Sequence, residues 1–103
     1  MSNHYYGEIA AKIHANFFQP RDCVSEMDDH VRYSHDDEYL FDVCSKSANV
    51  FSAIEELTSD PHIPWNDALD VYTNDVLEHL ETNDNIDILD MIKIASSSVQ
   101  NYR

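Results

Sequence analysis

A single glycine, Gly7, stands in a chain of 103 residues, with three prolines beside it. Tight hairpin turns draw on residues that tolerate positive φ, so a β-rich fold built from many such turns is excluded and helices are favoured. The same scarcity rules out a glycine-rich phosphate loop. Two cysteines, Cys23 and Cys44, are too few for a disulfide scaffold. The first eighteen residues have neither a basic n-region nor a continuous apolar h-region. Reduced thiols and a cytoplasmic location are the expectation. No run approaches the roughly 18 apolar residues of a membrane span, so no membrane contact is expected. Positive charge is scarcest of all: six Lys and Arg stand against twenty Asp and Glu, a formal charge of −14. Direct binding to nucleic acid or anionic lipid is excluded by that Coulomb term.

What is present suits a folded chain. An apolar fraction of 43% with 11% aromatic residues is ordinary for a globular protein and too high for a disordered acidic tail. Residues 1–103 are expected to form one helical domain, with no linker, repeat or low-complexity tract. In 3–18 the apolar residues Tyr6, Ile9, Ala10, Ile13 and Phe17 recur at helical spacing, with Pro20 as a stop. In 21–33, Val24, Met27 and Val31 form a narrow stripe that predicts one short helix. Ser34, His35, Asp36 and Asp37 then supply an N-terminal signal, with acids where the helix dipole favours them. The long helix that follows would bury Leu40, Val43, Cys44, Ser47, Val50, Phe51, Ile54 and Leu57 and end near Thr58. Residues 59–64 hold two prolines and must be a loop, with Ile63 placed as a staple.

The stretch 66–90 organises the rest. Trp65, Ala68, Leu69, Tyr72, Val76, Leu77 and Leu80 fall on one stripe of a helix running to about Glu81, and the remaining positions are acidic. A turn at 82–85, with its own N-cap, leads to a last helix using Ile88, Met91 or Leu89, Ile92, Ala95, Val99 and Tyr102, whose serines 96–98 are weak helix formers. The fold class is therefore all-α, a compact bundle of four to five helices. Its core is predicted to hold Ile9, Ile13, Leu40, Phe51, Ile54, Trp65, Leu69, Tyr72, Leu80, Ile88 and Ile92.

Catalytic constellations are weak. Asp28, Asp29, His30, His35, Asp36, Asp37 and Glu38 include metal-ligand types, but not at the spacing of a helical zinc pair, a di-iron bundle or a calcium loop. Acids there are read as dipole partners, and no metal or other cofactor is expected. With twenty acids, any one carboxylate pair is uninformative about acid–base chemistry. Cys44 lies on a core stripe, where a thiol is usually inert packing. The chain is not expected to be an enzyme.

Charge distribution says more than its total. Between 47 and 92 there is no base, while Glu55, Glu56, Asp60, Asp67, Asp70, Asp75, Glu78, Glu81, Asp84, Asp87 and Asp90 are acidic. Adaptation to high salt would spread acids evenly, whereas here the bases gather in the first half apart from Lys93 and Arg103. A small, very acidic, helical domain with interleaved aromatics resembles the DNA mimics of phages and plasmids, the Ocr-like antirestriction proteins and acidic anti-CRISPR proteins. The resemblance covers the composition and helical organisation of the whole chain and includes no aligned motif. It implies a phage inhibitor in the host cytoplasm that occupies the basic groove of a host nucleic-acid-binding protein, a restriction or CRISPR enzyme, with the eleven acids as phosphate substitutes. The alternative is an acidic protein-interaction module that binds a basic host factor without competing with DNA. A homodimer is possible through the last helix or through Tyr5, Tyr6 and Phe18.

Overall fold

The computed structural model describes residues 19–102. The expected first helix, with Ile9, Ile13, Tyr5, Tyr6 and Phe18, lies outside them. Among the described residues there are five helices and no strand: α1 (Pro20–Glu26), α2 (Asp29–Ser34), α3 (Asp37–Thr58), α4 (Trp65–Thr82) and α5 (Ile88–Gln100). The chain is all-α.

Each boundary has a local cause. Pro20 occupies the first turn of α1, where its missing N–H costs nothing. The short helix expected over 21–33 is two helices, because Met27 takes an extended conformation and Asp28 caps α2 through its side chain, accepting from His30 N at 2.8 Å. Ser34 closes α2 rather than opening α3, and the cap of α3 is Asp36, which accepts from Tyr39 N at 2.7 Å. The chain leaves α3 at Ser59 in the left-handed region, φ 50°, without a glycine. Its N–H donates to Glu55 O and its hydroxyl to Glu56 O, at 3.0 and 2.6 Å, which ties the reversal to the helix it ends. The cap of α5 is Asp87, not a residue of 82–85.

The 22 residues of α3 span about 33 Å at 1.5 Å per residue, most of the molecule's 38 Å length. Helices α1 and α5 pack on α3, α4 packs on α5, and α2 packs on α4. Helices α3 and α4 meet through large side chains: Phe51 lies 5.3 Å from Tyr72 and 6.1 Å from Trp65, centroid to centroid. Tyr72 donates its hydroxyl to Ser47 O at 3.1 Å, and burial pushes its pKa up to about 12. A cavity of about 20 Å³ lies beside this contact, lined by Cys23, Cys44, Ser47, Tyr72 and Thr73 among others. It has room for one water and for no organic ligand.

Most of the expected core is buried: Leu40, Phe51, Leu69, Tyr72 and Leu80, with Ile54 and Trp65 half-buried against it, and Ile63 tucked in from its loop. Two members are not. Ile88 is 48% and Ile92 40% exposed, because α5 turns Met91, Ala95, Ser98 and Val99 inward instead. The inward arc is one residue out of phase with the most apolar reading of the helix. Leu57, expected on the inner face of α3, is 87% exposed in the last turn, at the rim of an open groove shared with Ser96, Val99 and Gln100 of α5. The serines of α5 do not interrupt it: Ser98 is buried and donates to Ile94 O at 2.9 Å.

The thiols also differ from expectation. Cys23 and Cys44 are joined as a disulfide, α1 to α3, with Cα atoms 6.5 Å apart. The packing of α1 on α3 brings together two residues 21 apart in sequence, which spacing alone could not reveal.

Leu69→Ala removes a side chain that is 1% exposed and is expected to cost about 2–5 kcal/mol, whereas Ile92→Ala should lie within about 1 kcal/mol of the parent. Urea unfolding of the two variants checks the phase assigned to α5. Reduction of the disulfide should lower stability by about 3 kcal/mol, the chain-entropy value for a loop of this length, read as a lower urea midpoint in dithiothreitol.

Candidate functional site: an acidic surface along α4

The inner arc of α4 buries Ala68, Leu69, Tyr72, Thr73, Val76, Leu77 and Leu80. That fixes the opposite arc, where Asp67, Asp70, Asn74, Glu78 and Glu81 follow one another along the axis. From Asp67 to Glu81 the rise is about 21 Å, close to six phosphate steps along one DNA strand. The row is interrupted at its middle by Asn74, which is uncharged.

Of the other predicted acids, Asp75 lies on the flank of α4, and the rest lie in the elements before and after it. Near the start of α4, Asp60 O accepts from Trp65 Nε1 at 3.0 Å, which ties the loop after α3 to α4, while Glu55 and Glu56 lie in the last turns of α3. At the C-terminal end, His79 of α4 contacts Asn85 O at 3.2 Å and lies 3.9 Å from Asp90 Oδ2 of α5. The 83–87 connection is gripped from three sides. His35 Nε2 contacts Asp84 O at 3.2 Å, His79 contacts Asn85 O, and Tyr39 Oη accepts from Ile86 N at 2.6 Å. The ring of His35 also stacks on Tyr39, centroids 5.3 Å apart. This grip fixes the backbone of the connection that carries Asp84 and Asp87.

The eleven acids are not equivalent. Glu56, Asp67, Glu78, Glu81, Asp84 and Asp87 are exposed, while Glu55, Asp60, Asp70, Asp75 and Asp90 are half-buried. Three of them bind backbone. Asp60 accepts from His62 N at 2.9 Å, and Asp87 and Asp90 form a reciprocal capping box at the start of α5. Partial burial, with Asp67 adjacent, raises the pKa of Asp70 above the ordinary 3.8, and partial burial with Glu78 adjacent does the same to Asp75. Desolvation and like charge act in one direction at both positions. The Asp-x-x-Asp spacing at 87–90 is the signal that could have placed this cap, whereas burial leaves no such signal, because it depends on which helix lies alongside.

In the cluster near 28–38, two acids have structural roles. Asp28 and Asp36 are caps, and among the described residues no three His, Cys, Asp or Glu side chains converge as metal ligands. Among those residues, no helix is long and apolar enough to cross a membrane. No family model matches the chain, and neither a curated protein nor a solved structure does.

An aspartate with a higher pKa folded than unfolded takes up its proton more readily in the fold. Stability is therefore gained as pH falls through that value and lost as it rises. Melting temperature should climb as pH is lowered from neutrality toward 3.8, with the fall in overall self-repulsion adding to it. Asp70→Asn and Asp75→Asn should each raise the melting temperature at neutral pH and flatten that climb, measured by thermal scans across the range.

Proposed function

We propose that the protein is a DNA-mimic inhibitor, which uses its acidic surface to occupy the basic groove of a nucleic-acid-binding protein such as a restriction or CRISPR enzyme. The observation that carries the reading is the acid row on the outer arc of α4, Asp67, Asp70, Glu78 and Glu81, in a stretch from 47 to 92 that holds eleven acids and no Lys or Arg. A soluble surface ordinarily mixes signs. A one-signed row costs stability through repulsion, and at Asp70 and Asp75 that repulsion adds to the partial burial that raises their pKa values. The row's length and its placement on a rigid helix suit a groove that normally tracks a phosphate backbone. The activity is binding alone, with no bond made or broken.

The summed field would govern capture. Exposed ion pairs contribute about 0–1 kcal/mol each, and collective charge acts mostly on association rate. Single substitutions of Asp67, Glu78, Glu81 or Asp84 should therefore weaken binding less than about fivefold. The combined change of all four to Lys should abolish it with the helical spectrum intact, since all four are exposed. The test captures a target from bacterial lysate on the immobilised protein and adds duplex DNA at increasing salt. Mimicry requires that DNA displaces the captured protein and that capture weakens steeply with salt. Simultaneous binding of DNA and this protein to one target would replace mimicry by the non-competing acidic module.

A further inference from the structure

Helix α1 is seven residues long, and its N-cap Gln19 makes no side-chain bond to the first turn. A helix of that length is unstable by itself in water, so α1 owes its form to what it packs against. Among the described residues that is chiefly α3, where Cys23, Val24 and the following Met27 are buried. Helix α2 is seated separately: Asp28 caps it, Val31 is fully buried, and it packs on α4. Met27 is extended between the two short helices and gives α1 a hinge. The cavity of about 20 Å³ beneath this hinge is walled by Cys23 and Met27 on one side and by Ser47 and Thr73 on the other. Ser47 Oγ and Thr73 Oγ1 are buried there without a hydrogen-bond partner in the protein. Lifting α1 gives both hydroxyls to solvent, which offsets part of the apolar burial that lifting loses.

We infer that the Cys23–Cys44 disulfide is a redox latch, whose reduction releases α1 from α3 while α3, α4 and α5 stay folded. Cys23 is 1% and Cys44 3% exposed, so a reductant reaches the sulfurs only when α1 has lifted. A thiolate of a dithiol reductant then attacks one sulfur, the S–S bond breaks, and the departing thiolate takes a proton. The reductant's second thiol resolves the mixed disulfide and leaves as a cyclic disulfide, so the protein gains two electrons and two protons as two thiols. Once the bond is gone, nothing offsets the chain entropy that lifting gains except the contacts of three side chains. Released α1 uncovers the Cys44 thiol and the part of α3 around Val43. Reducing surroundings open the latch and oxidising ones close it, so the position of α1 follows the compartment.

Hydrogen exchange of the full chain, with and without dithiothreitol, reads the latch element by element. Amides of Cys23 to Met27 are expected to exchange at least about tenfold faster after reduction, and those of α4 to change less than about threefold. Cys23→Ser, without reductant, should reproduce that pattern and leave Cys44 as its one thiol. Iodoacetamide should then alkylate Cys44 within about tenfold of its rate in the urea-unfolded chain, a rate that a docked α1 would suppress far more strongly. Unchanged exchange in α1 with Cys44 still protected overturns the proposal, since the bond would then sit in a segment that stays docked without it. Loss of protection in α4 in step with α1 overturns it as well, since the bond would then support the whole fold rather than one helix.

Discussion

Like charge held at close range is the constraint to which the rest of this structure answers. Partial burial, with Asp67 beside Asp70 and Glu78 beside Asp75 on the same helix adding like charge, holds both aspartates above the ordinary carboxylate range. A chain of this size has a stability of only about 5–15 kcal/mol to set against such repulsion. The counterweight lies beneath the same helix. Leu69, Tyr72, Val76, Leu77 and Leu80 are buried there, and Phe51, Trp65 and Tyr72 join α3 to α4 through aromatic contacts. Apolar burial on one side of α4 makes a charged opposite side tolerable.

Part of the acid content serves the helices themselves. Asp28, Asp36 and Asp87 accept from backbone N–H groups that a helix start leaves without partners, and a negative charge there also opposes the helix dipole. Asp90 completes the box at α5. These residues cannot turn freely toward a partner without uncapping a helix. Asp67, Glu78, Glu81 and Asp84 have exposed side chains and are not tied to backbone in this way.

The junction between α4 and α5 links fold to surface. Both ring nitrogens of His35 face carbonyl oxygens, Val31 O at 3.3 Å and Asp84 O at 3.2 Å, and a neutral imidazole can donate to only one of them. With His79 and Tyr39 it fixes a connection that buries only Ile86 of its own. Polar side chains reaching backbone therefore do what apolar burial does elsewhere. The path from α4 to α5 is set because this connection is held rather than because it packs.

The sequence by itself determined the helical class, the extent of α3 and α4, the loop with Ile63 tucked under it, and the inner stripe of α4. Each follows from local periodicity, and a strong 3.6-residue pattern with caps and prolines at its ends admits few other solutions. It also determined that the outer face of α4 is acidic, because the acids occupy the positions the apolar stripe leaves. Tertiary structure decided what periodicity leaves open. Helix α5 offers two adjacent apolar arcs, and contact with α3 and α4 selected Met91, Ala95 and Val99 over Ile88 and Ile92. The pairing of Cys23 with Cys44 depends on α1 lying along α3. The half-burial of Asp70 and Asp75 depends on which residues lie beside α4, since desolvation is a property of neighbours in space and not of neighbours in the chain.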